Sequence, residues 1–174
     1  FFFNSQIEEP YRGEDRILVP SPKVPNYEDI PEMSARKINQ RLIPEIESEK
    51  YDFVLVNYAN GDLVGHSANF EASVKSAEVI DECLGEVVGA GLEHGYIVIV
   101  TGDHGNIETM LYEDGSVNPS HGFNSVPFIL VSDKPSLKAV KLRENEGLSS
   151  ISPTVLELLH VNIPDKMSSR SLLA

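Results

Sequence analysis

The sequence predicts an α/β layered fold with a largely parallel sheet. Two observations predict it. Short, nearly continuous apolar runs recur at residues 51–58, 96–100 and 126–131, the pattern of strands buried on both faces. Segments with helical spacing of apolar residues separate or follow them, at about 35–48, 70–90 and from 152 onward.

The elements follow in chain order. Phe1-Phe2-Phe3 reads as the end of a buried strand, and the chain opens on phenylalanine rather than methionine, so it is expected to be part of a longer protein. An irregular, proline-rich stretch with Gly13-Glu14-Asp15-Arg16 and Pro20-Ser21-Pro22-Lys23 favours extended or loop backbone. Ser34 is the expected N-cap of the first helix, whose Ile38, Leu42, Ile43 and Ile46 recur at helical spacing. The second helix is expected to present Val74, Ala77, Ile80, Leu84, Val87 and Val88 on one face, with Asp81 as a polar intruder and Gly95 closing the segment. Cys83 reads as a small core residue of that helix. Ser152 and Pro153 are expected to cap and open the last helix, with Val155, Leu156, Leu158 and Leu159 on its apolar side.

Length and composition bound the function. The 174 residues suit one domain of ordinary size, with 41% hydrophobic and 24% charged residues. A net charge of −13 repels nucleic-acid phosphates and anionic membranes, so neither is an expected partner. The same field would repel an anionic substrate unless a metal or a local basic patch reversed it. The single cysteine excludes an intrachain disulfide and fits a cytoplasmic location. No apolar run approaches the ~18 residues of a membrane span.

The chemistry-bearing residues gather in loops beside the expected strands. Asp62 and His66 lie after the first, Asp103 and His104 after the second, and His121 before the third. In open α/β sheets, sites form at the carboxyl ends of strands. Carboxylates with neutral imidazoles are a normal ligand set for manganese or zinc. Asp62 and His66, four apart, share one side of a helical turn. Asp103 and His104 can act together only if the chain turns there, which Gly102 and Gly105 allow. Two carboxylates and three histidines exceed one metal site with an open position and suit a pair of metals clamping a phosphoryl group. Taken singly, each pair has a bland reading as ordinary loop residues; their recurrence in three strand contexts favours ligation. His94 and His160, near helix ends, read as structural.

Several segments resemble the cofactor-independent (2,3-bisphosphoglycerate-independent) phosphoglycerate mutases of the alkaline phosphatase superfamily. They are Phe1-Phe2-Phe3-Asn4, Gly13-Glu14-Asp15-Arg16, Pro20-Ser21-Pro22-Lys23-Val24, Pro31-Glu32-Met33-Ser34-Ala35 and the run Asn57 to His66. Asp81-Glu82-Cys83-Leu84-Gly85, Thr101 to Asn106 and Asn124-Ser125-Val126-Pro127-Phe128 complete the series. The Asp-x-x-x-His and Asp-His-Gly elements are shared across the superfamily, whereas the elements of the first 35 residues are more specific to the mutase. Asn4-Ser5-Gln6 departs from the family's usual glycine, which affects local backbone shape only.

The resemblance implies a three-layer alkaline-phosphatase-like domain, incomplete in this chain. Residues 1–33 would be the end of a transferase domain and the linker region, and residues 34–174 the carboxy-terminal part of the metal-binding domain. It implies interconversion of 3-phosphoglycerate and 2-phosphoglycerate through a phosphoserine. It implies two divalent metals, manganese first, with zinc, cobalt and magnesium as alternatives. Asp62, His66 and His121 would bind one metal, and Asp103 and His104 the second. The second metal would also take an aspartate and the nucleophilic serine from an amino-terminal segment, so this chain alone is expected to be inactive. The complete enzyme is expected to be monomeric, and the 174-residue piece to self-associate. Lys23 and Arg16 would lie near the domain junction, with surface salt bridging as their simplest role. Two other readings stand beside this one: another phosphomutase or phosphatase of the superfamily, and a non-catalytic metal-binding remnant.

Overall fold

Apolar residues at helical spacing build the first helix, α1 (Ala35–Glu47), which buries Ala35, Asn39, Leu42 and Ile46. The computed structural model describes Asn4 and residues 6–174, so the expected Phe1–Phe3 strand lies outside the described residues. Ser34 stands at the N-cap position of α1 but makes no capping bond. Its hydroxyl instead donates to the carbonyl of Pro20 at 2.8 Å, tying the helix start to the proline-rich stretch.

A short helix, α2 (Asn60–Gly65), and a long one, α3 (Phe70–Glu93), follow. A six-residue helix is not stable by itself, because nucleation costs more than so few bonds return. Tertiary contacts hold α2. Val64 is fully buried in a cluster with Met33 and Ala72, and the buried Asn60 amide donates to the carbonyl of Pro31 at 2.8 Å. Asn69 caps α3 by accepting from the Ala72 N–H at 3.1 Å.

The buried face of α3 is Ala72, Ser73, Ser76, Val79, Cys83, Val87 and Gly91. It is rotated from the expected one: Val74, Ala77 and Asp81 are exposed. The helix is apolar on more than one side, and packing against α1 selects the stripe of small residues that permits close approach. Cys83 is a free, fully buried thiol in a cluster with Ala35 and Val79, and burial pushes its pKa up. Asn39 of α1 crosses to α3, donating to the Cys83 carbonyl at 2.9 Å.

Residues 51–58 join no ladder among the described residues. Only one face is covered: Val54 and Val56 pack on the cluster of Leu42, Ile46 and Val87, while Phe53 and Leu55 keep 42% and 54% exposure. The expectation of a strand buried on both faces is therefore corrected for this segment.

The sheet has two strands among the described residues, β1 (Val98–Thr101) and β2 (Phe128–Val131). They pair antiparallel, Val98 opposite Val131 and Thr101 opposite Phe128. The expected parallel pairing is absent between them for a physical reason. Parallel neighbours need a crossover, usually a helix, and the connection of residues 102–127 contains only the 3-10 turn Ile107–Thr109. A short helix, α4 (Pro135–Lys138), and the last helix, α5 (Ile151–Leu158), complete the chain. Ser150, not Ser152, stands at the N-cap of α5, because the 3-10 turn Leu148–Ser150 runs directly into it; Ser152 is exposed within the helix. Thr154 fastens the carboxyl end: its buried hydroxyl donates to the Ser150 carbonyl at 2.6 Å and accepts from the Leu172 N–H at 2.8 Å.

Candidate metal centre

The antiparallel pairing places the loop after β1 and the loop before β2 at one end of the sheet. Gly105 and Gly122 bridge those loops with reciprocal backbone bonds of 3.3 and 2.7 Å. Helix α2 lies against this end through the turn Ile107–Thr109. Three segments that are distant in sequence thus meet.

All five candidate residues converge there. Oδ1 of Asp62 lies 2.9 Å from Nε2 of His121, 3.2 Å from Nε2 of His66 and 4.0 Å from Nε2 of His104. The His104 and His121 rings stack at 3.7 Å between centroids, and His66 and His121 are 5.3 Å apart. Asp62 and His66 adopt the expected geometry, with His66 as the C-cap of α2 one turn after Asp62. The chain bends at Asp103 and His104, bringing Oδ2 of Asp103 to 3.6 Å from Nε2 of His104.

Asp62, His104 and His121 form the tightest set, with one ligand atom from each all within 4.8 Å of one another. Asp103 is the outlier, its side chain 79% exposed.

The donor chemistry fits a divalent cation. His104 Nδ1 lies 3.3 Å from the Gly105 carbonyl, which can only accept; a proton on Nδ1 leaves the Nε2 lone pair facing the cluster. A carboxylate oxygen with three imidazole nitrogens is a borderline ligand set of the kind zinc and manganese take.

Sequence reasoning assigned no role to three residues that frame this cluster. Asn106 is buried, and its Nδ2 donates to Asp62 Oδ1 at 3.0 Å. Glu108 accepts from the Asn106 N–H at 2.9 Å and from the Asn124 amide at 2.8 Å, joining the two loops. Partial burial pushes the Glu108 pKa up, but bonds from the backbone N–H groups of Asn106 and Glu108 and from the Asn124 amide outweigh it, leaving it below its ordinary value. Gly105 leaves room for this carboxylate: an added Cβ would lie 2.3 Å from Glu108 Oε1 and would push the Glu108 side chain aside. The available signal was an amide directly after the His104-Gly105 pair.

Of the remaining candidates, His94 caps α3 and lies 3.0 Å from Glu49, in keeping with a structural role, and His160 is exposed after α5. Arg16 pairs with Glu14 and donates to the carbonyl of Glu8 at 2.7 Å, a surface arrangement. No helix among the described residues is long and apolar enough to cross a membrane.

The fold and this cluster define a metalloenzyme-type domain, and the chain belongs to the metalloenzyme superfamily, whose model matches residues 1–163. Within that superfamily its relatives are specific. It is 43% identical over 173 residues to the 2,3-bisphosphoglycerate-independent phosphoglycerate mutase of Moorella thermoacetica, covering 99% of this chain and 33% of that protein. The same enzyme of Pseudomonas fluorescens is 45% identical over 174 residues, with 99% and 34% covered. A phosphoglycerate mutase of Leishmania mexicana, solved at low cobalt concentration, superposes with a TM-score of 0.80 at 28% identity, covering 90% of this chain and 31% of that one. The chain therefore spans about a third of the length of the curated relatives it matches. The α/β, alkaline-phosphatase-like fold class stands, and this chain carries an incomplete form of it.

Proposed function

We propose that this chain is the metal-binding portion of a phosphoglycerate mutase that interconverts 3-phosphoglycerate and 2-phosphoglycerate through a phosphoserine. One observation carries the reading: three imidazoles gather around the Asp62 carboxylate in a chain 43–45% identical to such mutases. Asp62, His66 and His121 hold one divalent cation, and Asp103 and His104 contribute to a second; manganese is the first choice, before zinc, cobalt or magnesium. Such cations activate a serine nucleophile and neutralise phosphate oxygens. The stacking of the His104 and His121 rings supports two adjacent sites.

The serine and the groups that bind the glycerate come from the part of the protein beyond the matched third. Residues 1–33 form the junction with that part, and residues 34–174 belong to the metal-binding domain. Exposed Leu55, Phe70, Val74 and Phe123 give it apolar surface to cover. The cluster's cations also answer the charge of −13, giving a phosphate one attractive spot on an acidic surface. The setting is cytoplasmic, with a small-molecule substrate and a monomeric whole enzyme.

The test is turnover of 3-phosphoglycerate by the complete gene product with manganese, beside pentose phosphates as competing substrates. Asp103→Ala and His121→Ala each abolish mutase activity. Retained turnover by either variant at excess manganese removes its assigned role. Preference for sugar phosphates makes the protein a different phosphomutase, and metal uptake without any turnover makes it a non-catalytic binder. The 174-residue segment alone is expected to be inactive.

A further inference from the structure

We propose that Asn106 is a positioning residue that aims the Asp62 carboxylate and fastens α2 to the loop after β1. The inference rests on the metal-centre reading above but concerns a side chain that is not one of the five candidate ligands.

Geometry carries it. Asn106 is 7% exposed, far more buried than the groups it serves. Its Nδ2 donates to Asp62 Oδ1 at 3.0 Å, the same oxygen that His66 and His121 face, and lies 3.4 Å from His66 Nε2. A donor on one oxygen fixes the rotation of a carboxylate whose side chain is one-third exposed and would otherwise swing. The other half of the amide is seated as well. A Cβ built on Gly65 would come within 2.5 Å of Asn106 Oδ1, so the carboxamide rests directly on the backbone of α2.

Asn106 is itself immobilised on both sides. Its N–H donates to Glu108 at 2.9 Å, and its carbonyl accepts from the Thr109 N–H at 2.9 Å. Asp62 and His66 belong to α2 and its cap, whereas Asp103 and His104 belong to the loop that contains Asn106. One amide therefore sets the spacing of the two halves of the centre. Aspartate could not replace it, since a second carboxylate would repel Asp62 where the amide donates.

The experiment is calorimetric titration of manganese into the metal-free complete gene product at 25 °C, for wild type, Asn106→Leu and Asn106→Ala. Leucine keeps the volume and removes the donor. Each folded variant is expected to lose about ten- to a hundredfold in affinity, the size of an orienting partner's effect on a metal site. Melting in chelator shows which variants are folded at 25 °C. Wild-type affinity in a folded variant overturns the inference alone. A lowered melting temperature with unchanged affinity marks a merely structural residue and overturns it as well. Loss of folding in both variants makes Asn106 a scaffold residue and does the same. No uptake by the wild type overturns the metal-centre reading itself.

Discussion

Two glycines of α2 offer a matched pair of substitutions. Gly65→Ala places a methyl group 2.5 Å from Asn106 Oδ1 and 3.3 Å from both Asn106 Cγ and Ile107 Cα. Real Cβ atoms essentially never approach within 3.0 Å, so the amide must retreat by at least about 0.5 Å. Its 3.0 Å bond to Asp62 then stretches to the edge of hydrogen-bonding range. Overpacking of this kind costs about 1–3 kcal/mol, offset by up to ~1 kcal/mol of helix propensity gained when alanine replaces glycine. Gly61→Ala, in the same helix, meets nothing within 4 Å and keeps only the gain. Thermal unfolding of the metal-free complete protein should therefore show Gly65→Ala lower by up to about 2 °C and Gly61→Ala unchanged or slightly raised, at the roughly 1 °C per kcal/mol that a protein of its relatives' length, about three times this chain's, would show. Manganese titration of the same samples should weaken for Gly65→Ala only. Equal stabilisation of both variants with unchanged metal affinity would refute the close seating of Asn106 on α2.

Thr154→Val leaves the buried Leu172 N–H without its acceptor; a cost of about 1–3 kcal/mol is expected, read as a lowered denaturation midpoint. Asn124→Ala removes the donor that joins the His121 loop to Glu108, so manganese affinity should fall while the α1–α3 packing, monitored by hydrogen exchange, stays protected. Glu14 is held down to about 2 by the Arg16 guanidinium, the Tyr11 N–H and the Asn4 amide, against an ordinary value of 4.5. A carboxylate depressed in the folded state stabilises above its unfolded pKa. The stretch around Glu14 should keep its protection at neutral pH and lose it as pH falls from about 4.5 towards about 2. A stretch equally protected across that range would remove the role given to Glu14.

The sequence carried the site more clearly than the sheet. The shared side of Asp62 and His66 was legible because residues four apart stand over one another on a helical turn, and the bend at Asp103-His104 because flanking glycines permit it, though neither pair alone implied ligation. Helices α1 and α3 were legible from apolar periodicity. The orientation of α3 was not, since apolar residues appear on both of its sides and only α1 decides which side is covered. The run 51–58 looked doubly buried because composition reports capacity for burial, whereas burial itself depends on neighbours that the run does not encode. Strand direction was equally hidden: nothing in Val98–Thr101 or Phe128–Val131 states that the connection between them lacks a crossover helix. Asn106 escaped notice because a hydrogen-bond donor between two other side chains leaves no spacing pattern.

The hairpin of Val98–Thr101 with Phe128–Val131 also acts as a ruler for the chemistry. A strand advances about 3.3 Å per residue, so a slip of two positions would present the same side chains inward yet carry one loop past the other by roughly 7 Å. That exceeds the 4.8 Å within which the atoms of Asp62, His104 and His121 fit. An inserted pair of residues in either strand would therefore satisfy every folding preference and still dismantle the centre.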